Sequence, residues 1–592
     1  MNNPYFDLVK AVWKNAKSWR GSVVACYLAY VTAQASLSLT PYAFGRTVNV
    51  LQHFNPSRLH EVIFWIGISI AFLAGFWLFH GPARIKECQV ALNAQQYLRH
   101  KIYSELTSLP LKWHQDHHSG NIVTRINRAA SSLFRFASEQ FIYIEAIIKV
   151  LVSCGFLIWL SPPLGLLNLL CCIVALTIVV KFDQKIVPLY RKQNEVDNHI
   201  GATLFDYISN MTTILTLRLN KLTTNNLVRR MLTIWPIYRK SATLNECKWF
   251  GVGMILTTLQ SVIIIGYIIH SLSTTNSILI GSIVMIFRYQ WDLNDVFFNF
   301  TSQYSELVRM DSDVKGLDPI IQDIKRFSTK SKTMAHNNTE WKKIDIEKLI
   351  FCHDLNREKH HLTLNKPIRI QRGEKIALIG SSGGGKSTLL NLMRGLYEAE
   401  QVSLIIDETP YTSLKALRSI TTLIPQDPEI FENTIRFNIT LDLPATDEEI
   451  HTAVKLAHFD KVLAMLPVGL NTDIREKGLN LSVGQKQRLA LARGLFAARY
   501  SSLILMDEPT SSVDLPTEEE ILTKILAKFA RASIIISLHR LHLLPKFDRI
   551  IMLSEGEILA NGLTKQLLVT PGPVQEVLLK YQQSQACETI LD

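Results

Sequence analysis

The chain is 592 residues long, several times one compact domain of about 150. It is 47% hydrophobic and 19% charged, which excludes a disordered chain and falls below the roughly 25% charged of soluble domains. A net charge of +12 keeps nucleic acid in play until the charges are located, and eight cysteines without a C-x-x-C pair give neither metal-ligand spacing nor a disulfide framework.

Residues 1–20 mix Lys10, Lys14, Lys17 and Arg20 with Phe6, Val9 and Val12, the pattern of an amphipathic segment on a membrane surface. The apolar run that follows is too long for a cleavable leader and lacks a small-residue cleavage site. Six stretches can cross roughly 30 Å of hydrocarbon, at about 21–45, 62–80, 141–160, 163–180, 249–270 and 277–300. Four contain no Asp, Glu, Lys or Arg; the third carries Glu145 and Lys149 near one end. The sixth turns polar at Arg288, Gln290, Asp292 and Asp295.

Charge sets the orientation. The connection 84–140 holds eight Lys or Arg and 181–248 holds eleven, whereas 161–162 and 271–276 hold none. Basic loops stay on the cytoplasmic side, so both long connections, the N-terminus and everything after the sixth span are expected in the cytoplasm. The protein is thus read as a multi-pass component of the cell (inner or plasma) membrane, in contact with the lipid bilayer. Topology accounts for the basic excess, so no nucleic-acid partner is expected. Both connections keep helical periodicity, with turning points expected at Leu109–Gly120 and around Gly201–Asn210.

Residues 326–345 read as a polar linker, after which β-branched runs alternate with helical patterns, an α/β domain over 346–575 with a tail at 576–592. Gly380, Ser381, Ser382, Gly383, Gly384, Gly385, Lys386, Ser387 and Thr388 lie between an apolar strand and a helical run. That is the context of a phosphate-binding loop: glycines let successive amides turn inward, and the helix start adds partial positive charge. Lys386 is suited to the β- and γ-phosphates of ATP, and Ser387 to Mg2+. Farther on, Leu503–Met506 is a buried strand closing on Asp507 and Glu508. Asp507 suits Mg2+, and Glu508 is placed to take a proton from an attacking water.

These residues resemble an ABC transporter of the exporter type, a half-transporter with one membrane domain fused to one nucleotide-binding domain. Leu481, Ser482, Val483, Gly484 and Gln485 are similar to the family's signature, 26 residues before Asp507. Gln426 matches the Q-loop, Ser511–Asp514 the D-loop and His539 the switch histidine; Pro110–Arg125 and Gly201–Leu219 resemble the two coupling regions. The resemblance implies six membrane helices within 1–325 and an ABC-type P-loop ATPase. It implies catalytic roles for Glu508, His539, Gln426 and Lys386, with Gln426 also near Mg2+. Ser482, Gly484 and Gln485 would meet ATP held by a second half-transporter, identical or not. Two chains would then clasp two ATP molecules and drive alternating access. The implied activity is ATP-driven export of a small molecule, lipid or peptide; an exporter-fold importer and an ATP-gated channel or regulator are the alternatives.

Three positions depart from the family pattern. Val483 replaces a commoner glycine. His353 is the nearest candidate for the adenine-stacking aromatic. Asp407-Glu408 stands where an Asp-Gly turn is expected, and is read as a modified hairpin. In the sixth span Arg288 and Asp292 are four apart on one helix face. With Gln290 and Asp295 they are expected to line a cargo cavity, to fix packing through a salt bridge, or to mark a helix already emerging into the cytosol, since charge facing lipid is costly.

Overall fold

The computed structural model of the protein describes residues 3–53, 55–117, 119–275, 277–328, 340–352, 362–474 and 481–588. The chain divides into two compact units, one made of 1–109 and 117–327 and the other of 110–116 and 328–592.

The first unit is helical. Helix α1 (Pro4–Ala16) begins with the Asn3 side chain accepting from the Tyr5 amide, ahead of a proline that has no amide hydrogen to leave unpaired. Leu8, Val12 and Ala16 bury one face of it within the unit, while Phe6, Lys10, Trp13 and Lys14 stay exposed. The first expected span is two helices, α2 (Arg20–Ser38) and α3 (Thr40–Gln52), because Pro41 restarts the helix inside the apolar run. Helix α4 (Leu59–Leu106) has 48 residues, roughly 70 Å, so it runs well past any bilayer. After α5 (Leu111–Asp116), the third span is α6 (Ser119–Ser138) followed by α7 (Gln140–Leu160). At that break the buried Glu87 accepts from the Phe141 amide at 3.2 Å.

Next come α8 (Pro162–Ser209), α9 (Met211–Thr216), α10 (Asn220–Leu232), α11 (Trp235–Thr275), α12 (Ile280–Lys315) and α13 (Asp318–Ser328). The second turning point falls at the far end of the expected stretch Gly201–Asn210: α8 passes through Gly201 and ends at Ser209. One glycine costs a helix only about 1 kcal/mol against alanine, too little to break a helix of this length. Among the described residues five helical stretches, Pro4–Gln52, Pro56–Leu106, Ser119–Leu160, Pro162–Ser209 and Asn220–Thr274, are long and apolar enough to cross a membrane by length and composition. The expected sixth, α12, does not reach that standard, because the run from Arg288 to Asp295 interrupts its apolar stretch. Leu157, Ala175, Val179, Leu256, Ile263, Ile286 and Leu293 form the core among α7, α8, α11 and α12. Ile63, Ile66, Ile70, Trp77 and Leu78 of α4 face outward, the all-round apolarity of a helix solvated by lipid.

The second unit is α/β. Its strands are β1 (Lys343–Phe351), β2 (Leu362–Thr363), β3 (Ile368–Gln371), β4 (Lys375–Gly380), β5 (Gln401–Ile406), β6 (Thr409–Tyr411), β7 (Thr421–Ile424), β8 (Leu503–Asp507), β9 (Ser533–Ser537), β10 (Arg549–Ser554) and β11 (Glu557–Leu563). One sheet has the order β11-β10-β4-β9-β8-β7, with every neighbour from β10 to β7 parallel. Its central strands are buried throughout, as expected of parallel strands covered on both faces. The other sheet is antiparallel, β2-β1-β5-β6 with β3 also on β1. Asp407 and Glu408 make the two-residue turn between β5 and β6, both at positive φ (45° and 72°). The Asp407 carboxylate accepts from the amides of Lys342 and Lys343, which anchors a turn that lacks the usual glycine.

Candidate active site

Parallel strands bring their carboxyl ends to one edge, where α/β sheets bind ligands. From β4 the chain enters the glycine loop and then α14 (Lys386–Met393), whose first residue follows Gly385 without a side-chain cap. A Cβ on Gly380 would lie 1.9 Å from the Leu553 carbonyl oxygen, so only glycine fits there. Gly383 and Gly385 hold φ of 77° and 99°, conformations that side chains resist. The loop is therefore a backbone cradle opening on an uncapped helix start, the arrangement that takes phosphate. Lys386 is buried, and its Nζ donates to the Gly380 and Ser381 carbonyls at 2.9 and 3.0 Å. Ser381, Ser382 and Ser387 are exposed around it. The donor set fits a polyphosphate.

Two strands away, Asp507 ends β8, buried, and accepts from Ser537 Oγ at 2.7 Å. Ser537 closes β9, between β4 and β8, and its oxygen also accepts from the Glu508 amide at 2.8 Å. The next side chain carries the reacting group: Glu508 Oε1 lies 2.5 Å from His539 Nε2, and Glu508 Oε2 accepts from Gln426 Nε2 at 2.5 Å. Three segments distant in sequence thus converge on one carboxylate. Its two donors fix its orientation, as a proton acceptor aimed at a water requires.

After α15 (Ile435–Thr440), α16 (Asp447–Leu456) and α17 (Asp460–Met465), the signature residues start α18 (Val483–Ala497). Ser482 caps it by accepting from the Gln485 amide at 3.3 Å, and Gln485 Oε1 accepts from the Ser482 amide at 2.9 Å. Ser482 and Val483 are exposed, and Gly484 leaves only 3.0 Å between a would-be Cβ and the Ser512 carbonyl oxygen. His353 and the stretch 475–480 lie outside the described residues. Sequence reading gave no role to Gln487, whose Nε2 donates to the Glu508 carbonyl at 3.2 Å and to Ser511 Oγ at 2.9 Å. The one signal for Gln487 was a polar residue two places beyond the signature; for Ser537, it was a serine ending an isoleucine run.

In the first unit a cavity of about 400 Å³ is lined by Gln34, Ser38, Phe44, Lys149, Arg288 and Asp292, among others. Arg288 and Asp292 face it 3.5 Å apart. Gln290 does not: it is buried and donates to Asn168 at 2.8 Å. Asp295 pairs with Lys149 at 3.1 Å.

The model of the ABC transporter transmembrane region matches residues 23–293, and a second model, of the ABC transporter, matches 365–511. Heavy metal tolerance factor 1 of Caenorhabditis elegans is 27% identical over 87% of this chain and 65% of its own length. The mitochondrial iron-sulfur clusters transporter ATM1 of Debaryomyces hansenii is 26% identical over 98% of this chain and 84% of its own. A bacterial Atm1-family ABC exporter solved with ATP bound superposes with a TM-score of 0.78, covering 95% of this chain and 98% of that one. At 22% identity the last shows the shared fold alone. The chain belongs to the ABC transporter family, as a half-transporter in which a helical membrane region and an ATP-binding cassette share one polypeptide. Its class couples ATP hydrolysis to transport across a membrane.

Proposed function

We propose that this chain is one half of a dimeric ATP-driven exporter of polar or amphipathic cargo. The observation that carries the reading is apolar surface beyond the reach of lipid. Leu204, Phe205, Ile208, Met211 and Leu215 are between 42% and 66% exposed, and residue 204 lies roughly 36 Å of helix past residue 180. An exposed apolar patch there calls for a protein cover, and a second half-transporter supplies one. The exposed helix start at Ser482 supports the same reading, because such an end attracts phosphate held by another chain.

In this scheme 1–325 is the membrane domain, 346–575 the nucleotide-binding domain, and the latter works in the cytoplasm of a cell whose plasma or inner membrane holds the former. Lys386 neutralises charge on the β- and γ-phosphates, Glu508 accepts the water's proton, and His539 and Gln426 hold Glu508 in place. Ser387, Asp507 and Gln426 would hold Mg2+, which when bound neutralises phosphate charge. ATP bridges two chains only in the closed dimer, so binding shifts the population toward it, and hydrolysis releases it. The charged lining at Arg288, Asp292 and Lys149 supports a polar cargo. The cargoes printed in the relatives' names, iron-sulfur clusters and heavy metals, are the first to screen. The test is flux with ATP in vesicles of defined sidedness, with crosslinking for subunit count. Export by a crosslinkable dimer supports the proposal; uptake makes the chain an importer, ion conductance without cargo flux makes it a channel, and full activity as a monomer overturns the scheme.

A further inference from the structure

Glu508 stands in a conformation that costs energy, with φ at 45° for a residue that is not glycine. Such a geometry persists only where surrounding groups over-determine it. Ser537 holds its amide and Gln487 its carbonyl. A third hold lies two residues on. Thr510 Oγ1 donates to Oε1 of Glu518 at 2.7 Å, and Glu518 is buried in the first turn of α19 (Leu515–Lys528). The other oxygen, Oε2, accepts from Arg540 Nη1 at 2.5 Å, and the same nitrogen donates to the Val513 carbonyl at 2.8 Å. Arg540 directly follows His539.

One carboxylate therefore grips the two loops that carry the two reacting partners. It holds the Glu508 loop through Thr510 and the His539 loop through Arg540. Asp514 pins the intervening turn by accepting from the Thr517 amide at the start of α19, at 3.2 Å. Glu518 lies in a small cavity shared with Glu508, Ser537 and His539, yet spends both oxygens on Thr510 and Arg540. We infer that Glu518 is a positioning residue for hydrolysis, setting the Glu508–His539 contact by clamping Thr510 and Arg540 to α19. This rests on the ATP-hydrolysis reading of that site.

The experiment uses the full-length protein in lipid nanodiscs, measuring kcat and KM for ATP together with nucleotide binding and the unfolding midpoint. A misplacement near 1 Å costs about 10²-fold in rate, so Glu518→Ala is expected to lower kcat about 10- to 100-fold with KM within about twofold. Glu518→Gln, which keeps an acceptor for Arg540 and a hydrogen bond to Thr510, recovers most of that loss. Adding Glu518→Ala to Glu508→Gln leaves the small residual rate unchanged, because the positioned group is already gone. A merely structural role would lower the residual rate as well and would move KM. If Glu518→Ala does not fold, Thr510→Val carries the same expectation at about fivefold. Wild-type kcat in both variants, or equal losses with and without Glu508, overturns the inference. An inactive wild-type protein would instead overturn the hydrolysis reading beneath it.

Discussion

His539 Nε2 and Glu508 Oε1 are 2.5 Å apart, although 31 positions separate the two residues in the chain. The Gln426 amide reaches the other oxygen of the same carboxylate. Glu508→Gln keeps the size of the side chain and removes the proton acceptor. It is expected to bind ATP, hold the closed dimer and reduce turnover by about 10²- to 10⁴-fold, the range for a lost general base. Steady-state hydrolysis alongside nucleotide retention checks this; near-normal hydrolysis would take Glu508 out of the role.

Lys386 spends its ammonium on two carbonyls of its own loop, which keeps it folded into the cradle. Lys386→Ala removes the one full positive charge in the phosphate loop. Hydrogen bonds to charged groups contribute about 1.5–3 kcal/mol, so ATP affinity is expected to fall about 10- to 100-fold and transport to stop. Nucleotide binding measured beside flux checks it, and retained transport would mean that a partner chain supplies the working site.

How much of this was legible in the sequence depended on distance along the chain. The phosphate loop was legible because its main requirements are local: Gly383 and Gly385 take positive φ within one short turn, although Gly380 answers to the Leu553 carbonyl of the adjacent strand β10. The break at Pro41 was as local, but a long apolar run reads through it. What could not be read was lateral. Ser537 joins Asp507 to Glu508 only because β9 lies between β4 and β8, and Gln487 reaches Glu508 only because α18 packs beside that edge. The strip Arg288 to Asp295 was legible as a violation of apolarity, but not its division, in which Gln290 turns to Asn168 and Asp295 to Lys149.

Burial lowers Lys375 to about 8, from an ordinary value near 10.5. Its Nζ donates to the carbonyls of Phe529 and Ala530 at the foot of the sheet. Below about pH 8 both folded and unfolded chains carry the proton, and the folded chain bears the full cost of burying the charge. Between about 8 and 10.5 the unfolded chain binds more protons, so stability from this group rises with pH. Relative to Lys375→Met, the wild-type unfolding midpoint should gain between pH 7.5 and 9.5. A constant difference would mean that Lys375 does not titrate there.

The patch at 204–215 makes a prediction about assembly. Phe205 and Ile208 are 66% and 58% exposed, so replacing them with aspartate should leave each chain folded, as surface changes usually do. Phe205→Asp with Ile208→Asp is expected to abolish cargo-stimulated hydrolysis and to lower the crosslinked dimer fraction, with ATP binding unchanged. A dimer fraction equal to wild type would remove this patch from the interface.

Arg288 and Asp292 face the 400 Å³ cavity of the membrane unit, with Lys149 on its wall. Charges at bilayer depth cost about 2.5–3.5 kcal/mol each on insertion scales, so their retention asks for a role or a partner. Arg288 is 58% exposed and Asp292 13%, and their 3.5 Å contact is a loose pair within one helix. A pair that only fixed packing would be less open on the arginine side. Replacing Arg288 by leucine and Asp292 by asparagine together should therefore change cargo-stimulated ATPase by about tenfold while basal ATPase stays within about twofold, since a hydrogen bond from either charge to cargo is worth about 1.5–3 kcal/mol. The measurement is basal and stimulated hydrolysis in nanodiscs beside the unfolding midpoint. Equal loss of both rates, or a lowered midpoint, would make the pair a packing device and return the cavity to an unassigned hollow.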